Sequence, residues 1–95
     1  MRLANRRDAN HAEIVSAFEQ CGWRVLDLSR VGQGCPDILI AKAGKTALVE
    51  IKIPKGKLRQ NQSVFASLWA GKVYTCRTMT DVLKVHRENM NAEAP

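Results

Sequence analysis

Ninety-five residues suffice for one small domain with a single modest core, and 45% apolar with 25% charged residues excludes a disordered or collagen-like chain. No run of about 18 apolar residues is present, so the sequence contains no membrane-spanning helix. Fifteen basic against nine acidic side chains give +6, a balance that favours a polyanionic partner, most simply nucleic acid.

The chain opens on a basic arm, residues 1–9, with Arg2, Arg6 and Arg7. It lacks the apolar core of a signal peptide, which points to the cytosol. The spacing of Ile14, Ala17, Phe18 and Cys21 predicts a helix over about 10–21, with Asn10 and Glu13 as a capping box and Gly22 as its stop. The alternation WRVLDL predicts a strand over 23–28 with Trp23, Val25 and Asp27 on one face, and the glycine-containing stretch 29–34 reads as a loop. Pro36 pre-sets a strand entry, and 38–41 is a short buried strand. Ala43, Gly44 and Lys45 make a turn into a second apolar strand over 46–53, ended by Pro54.

A polar, basic loop with Lys55, Lys57 and Arg59 follows. Val64, Phe65, Leu68 and Trp69 form the apolar stripe of a second helix over about 60–70. A last strand over 72–77 and a helix over 79–88, opened by the capping pair Thr78 and Asp81, complete one α/β domain in the order α-β-β-β-α-β-α. Residues 89–95 are expected to be a mobile tail. Cys21, Cys35 and Cys76 are odd in number and lack CxxC spacing, which argues for reduced thiols rather than a disulfide framework or zinc site.

Residues 34–52, GCPDILIAKAGKTALVEIK, carry the chemistry. Asp, Glu and Lys are poor strand formers, yet Asp37 opens one apolar strand while Glu50 and Lys52 sit in the next. Residues i and i+2 share a strand face, so Glu50 and Lys52 point one way and Val49, Ile51 and Ile53 the other. A hairpin brings Asp37 near Glu50. Two carboxylates beside an ammonium suit a divalent cation and a water next to a phosphate, with the backbone carbonyl of Ile51 as a third oxygen. Singly the pieces are common: an ExK pair is most often a salt bridge on a solvated strand face, and Pro-Asp is a frequent turn.

In that order the residues resemble the PD-(D/E)XK nuclease superfamily, and the chain from its first helix to about Val85 resembles its stand-alone VRR-Nuc domains of phages and bacteria, related to Holliday junction resolvases. The resemblance extends through KIPKGKLRQNQ, where Leu58 and Gln62 match, although Arg59 and Gln60 stand where the family often has threonine-proline, which leaves Gln60 as the alternative glutamine. It implies a restriction-endonuclease-like fold, a small mixed sheet flanked by helices. It also implies a Mg2+-dependent endonuclease, with Mn2+ able to substitute, cutting branched or structured DNA such as Holliday junctions as a homodimer in a bacterial or phage-infected cell.

The implied roles are metal binding by Asp37 and Glu50, service to the water by Lys52, and contact with the lysine or phosphate by Gln62. Glu13 stands where the family's first helix contributes an acid, and reads equally as the capping partner of Asn10. Lys55, Lys57, Arg59, Arg30, Arg6 and Arg7 are candidate backbone contacts to DNA. His11 and His86, lacking a metal-ligand partner at i+4, read as surface residues. Trp23 and Trp69 read as core or interface. The rival functions are a catalytically silent nucleic-acid-binding module and a basic phage interaction protein.

Overall fold

The computed structural model describes residues 9–91; the arm carrying Arg6 and Arg7 and the end of the tail lie outside the described residues. Between them the chain is a mixed α/β domain with α1 (His11–Gln20), β1 (Arg24–Asp27), β2 (Ile38–Lys42), β3 (Lys45–Ile51), α2 (Gln60–Leu68), β4 (Val73–Cys76) and α3 (Met79–Asn91), the order expected. The strands form one sheet in the order β1-β2-β3-β4. The first three are antiparallel and β4 runs parallel to β3.

The β2–β3 hairpin closes through Ala43 and Gly44, both at positive φ (+53° and +79°). Those angles fit the two-residue turn whose twist matches the paired strands. It fixes the register at Lys42 opposite Lys45 and Ile38 opposite Val49. That register sends Ile38, Ile40, Val49 and Ile51 to one face, where each is at most 1% exposed. Ile14 and Phe18 of α1 and Val82 and Val85 of α3 close the core over this face. Trp23, fully inside, stacks edge-on to Phe18 and donates its indole N–H to His86 Nδ1 at 3.0 Å.

Several boundaries differ from expectation for local reasons. β3 ends at Ile51, and Ile53, just before Pro54, is 41% exposed. Helix α3 runs past residue 88 because Asn89 is not tail: it is fully buried, donates to the carbonyl of Val85 and to Tyr74 Oη, and accepts from Lys72 Nζ at 2.6 Å. His11 is buried rather than on the surface. Thr78 and Asp81 form the reciprocal cap expected at α3. Asn10 makes no side-chain cap on α1. The α2 stripe is not core, for no residue of that helix is buried.

Candidate active site

One step beyond the Ile38–Val49 pair, the β2–β3 register sets Asp37 beside Glu50. Pro36 has no N–H to give the ladder, and at this strand entry a side chain takes over the pairing. Asp37 Oδ2 accepts the Ile51 N–H at 2.8 Å, while the Asp37 carbonyl accepts the Leu28 N–H at 2.8 Å. The carboxylate is thereby anchored at the edge of the sheet face opposite α1 and α3. The Ile51 amide thus joins the cluster through Asp37.

Glu50 and Lys52 share that opposite face, as their spacing requires. Lys52 Nζ lies 3.9 Å from Glu50 Oε2. Glu50 is 4% exposed and Lys52 8%, so this is no salt bridge on a solvated face. Burying two charges is costly unless pairing and hydrogen bonds compensate. Part of that compensation comes from α2: Gln62 Nε2 donates to Glu50 Oε2 at 2.9 Å. The same amide's Oε1 accepts the Arg59 N–H at the helix start, at 2.8 Å. Only one orientation of the amide satisfies both partners, because the opposite flip would oppose donor to donor. Since an arginine side chain has no acceptor, this is the return half of a capping box only. Gln62, rather than Gln60, is the glutamine brought to the charged cluster.

Cys35 lies close to both acids. Its thiol is pushed above its ordinary value, first by burial, then by the charge of Glu50, then by that of Asp37. Gly34, at φ +80°, permits the approach of this loop to α2, because a Cβ there would overlap the Asn61 carbonyl.

Two residues with no predicted part in the site support it. Asn10 Nδ2 donates to the carbonyls of Lys52 (3.0 Å) and Arg77 (2.9 Å), clamping together the chain where β3 and β4 end. Its Oδ1 is buried and finds no partner among the described residues. Arg77 donates from its guanidinium to the Gly56 carbonyl at 3.0 Å, tying down the loop that carries Lys55 and Lys57. Lys55, Lys57, Arg59 and Arg30 are exposed, as contacts to a nucleic-acid backbone require.

Glu13 is exposed on α1, beside Gln20 and Met79. Among the described residues no group of three or more His, Cys, Asp or Glu is placed to hold a metal ion, so Glu13 does not join Asp37 and Glu50. The donor set at the sheet edge is two carboxylates. That number still fits magnesium, which takes one or two carboxylates and completes its shell with waters and substrate phosphate. Comparisons of the chain with protein-family models, with curated proteins and with solved structures find no match.

Proposed function

We propose that the protein is a Mg2+-dependent endodeoxyribonuclease with a restriction-endonuclease-like fold, of the VRR-Nuc type within the PD-(D/E)XK superfamily, acting on branched DNA. The observation that carries this reading is the convergence of Asp37, Glu50, Lys52 and Gln62 where the two central strands meet α2. Asp37 and Glu50, with the Ile51 carbonyl, would hold the ion, which supplies charge neutralisation at the phosphate and a more acidic water. The remaining work falls to the chain. Lys52, as an ammonium, orients the attacking water or a phosphate oxygen and offsets the charge that develops there. Gln62 holds Glu50 in one orientation. The Ile51 N–H does the same for Asp37. Lys55, Lys57, Arg59 and Arg30 track the DNA backbone, and salt weakens their contacts. Cutting both strands of a junction takes two sites, hence a homodimer.

One observation favours a second reading. Glu50 Oε2 is already met by Gln62 and Lys52, as in a purely structural buried pair. A silent DNA-binding module would keep that pair and bind without cutting. Incubation with four-way-junction and linear DNA in Mg2+, in Mn2+ and in EDTA separates the two. The nuclease reading expects cuts near the branch in either metal and none in EDTA. Binding without cuts in any metal supports the silent module.

A further inference from the structure

The two segments that frame the charged cluster run on into an open groove of about 530 Å³. One is the loop before Asp37, which contributes Gln33. The other is the start of α2, where Gln60 and Asn61 precede the Gln62 that bonds to Glu50. Gly34 lies against the Asn61 carbonyl and joins the two walls. Phe65, Leu68 and Trp69 continue the lining along α2. The Phe65 and Trp69 rings lie nearly parallel, at 16° with centroids 5.2 Å apart, and Trp69 is 49% exposed.

Gln33 is held there under strain. It stands between Gly32 and Gly34, and the three consecutive residues have φ of +76°, +58° and +80°. Glycine adopts these angles freely, whereas a residue with a side chain is strained in them. A third glycine would form the same turn, yet position 33 carries an amide, and that amide lines the groove. The side chains of Gln33, Gln60 and Asn61 make no hydrogen bond to any described residue. Strain held in place beside unengaged amides and stacked rings is characteristic of a ligand site.

The chemistry selects a nucleobase. Aromatic rings stack on the face of any base, and Asn and Gln amides meet base edges with a donor and an acceptor together. No cation lines the groove, so it does not suit a phosphate. Cations flank it instead: exposed Arg30 precedes Gln33 by three residues, and exposed Arg59 precedes Gln60. A strand whose phosphate reached Asp37, Glu50 and Lys52 would bring its neighbouring nucleotide to these walls. A protein partner would account for the exposed rings, without calling for the strained amide or its place next to the cluster.

We propose that this groove is a pocket for an unpaired nucleobase adjacent to the scissile phosphate. The base leaves its stack, lies against the Phe65–Trp69 pair and presents its edge to Gln33, Gln60 and Asn61. Bases within continuous duplex are paired and stacked, and do not reach it. The substrate is then DNA with an unpaired nucleotide at the cut, as at an opened branch point, a gap or a flap. The pocket stands on the groove itself, while its place beside a cut phosphate rests on the nuclease reading.

Fluorescence titration of the full chain with a short oligothymidylate in EDTA reads binding without cleavage. The oligonucleotide should quench Trp69 emission, taken as the difference between wild type and Trp69→Phe. By anisotropy of a labelled oligothymidylate, Trp69→Ala and Gln33→Gly should each bind about tenfold or more weakly, and Trp69→Phe within about threefold of wild type. The denaturant midpoint of Gln33→Gly should stay close to wild type, which separates a lost contact from a lost fold. On DNA whose cut has been mapped, one abasic residue at each neighbouring nucleotide in turn should lower kcat/KM about tenfold at one position. Trp69→Ala should be indifferent to that change. Trp69 emission that stays constant as the oligonucleotide is added overturns the proposal, as do alanine and glycine variants that bind like wild type. Equal cutting of the intact and every abasic strand overturns it too. Trp69 emission that shifts with protein concentration in the absence of DNA overturns it in favour of a second copy. A chain that binds with quenching but cuts no DNA sinks the nuclease reading and leaves the pocket standing.

Discussion

The two faces of this sheet use the same strands for opposite purposes. Toward α1 and α3, Ile38, Ile40, Val49 and Ile51 alternate into a closed apolar core. Toward α2, the intervening positions place Glu50 and Lys52 in a nearly dry edge, with Asp37 at the strand entry. The first face is stabilised by burial. The second is held by directed bonds: Ile51 N–H to Asp37, Gln62 to Glu50, and Asn10 across Lys52 and Arg77. A dry edge strengthens electrostatic interactions aimed at a phosphate, and costs stability unless each charge is met. The contrast teaches that the face toward α1 and α3 is held by packing, whereas the face toward α2 carries the polar groups to which we assign function.

Substitutions should separate the faces, and the largest effect belongs to the core. Phe18→Ala should cost about 3–5 kcal/mol, read by denaturant unfolding, with cleavage per folded molecule unchanged. A parallel loss of activity in the folded fraction would break the separation. Gln62→Ala should reverse that signature, lowering kcat by about 10–100-fold with less than about 1.5 kcal/mol lost from stability. Asn10→Ala removes two bonds to carbonyls and should cost about 1–3 kcal/mol by the same unfolding measurement. It sharpens the comparison because Asn10 serves the end of β3 from the helical side.

The last effect is silent at neutral pH and appears only in alkali. Burial, with a lesser push from Asp81, raises the Cys76 thiol from 9.0 to about 12. The folded chain then keeps a proton that the unfolded chain releases, so this contribution is complete below pH 9 and lost as pH rises toward about 12. Unfolding curves between those values should fall more steeply for the wild type than for Cys76→Ala.

The strand-face chemistry is legible in the sequence because a two-residue period admits no alternative: Glu50 and Lys52 must share a face. The Ala43-Gly44 turn then aligns Asp37 with Glu50. Asn10 was misread for a physical reason. Asn followed three residues later by Glu matches a helix cap, but an asparagine amide also donates, and here it donates to two distant carbonyls. The family resemblance drew Glu13 toward the site, whereas its side chain lies exposed on the outer side of α1. Periodicity in α2 identified an apolar face but said nothing of what covers it. His11 reads as polar in sequence and is buried because the first turn of α1 lies against the domain.

The central claim is that Asp37 and Lys52 are chemistry rather than scaffold. Single-turnover cleavage of junction DNA in saturating Mg2+ tests it most directly, with circular dichroism to verify folding. Asp37→Asn and Lys52→Ala should each cut about 10²–10³-fold more slowly than wild type while still binding the junction. If both folded variants cut at the wild-type rate, the site proposed here is not where the reaction occurs.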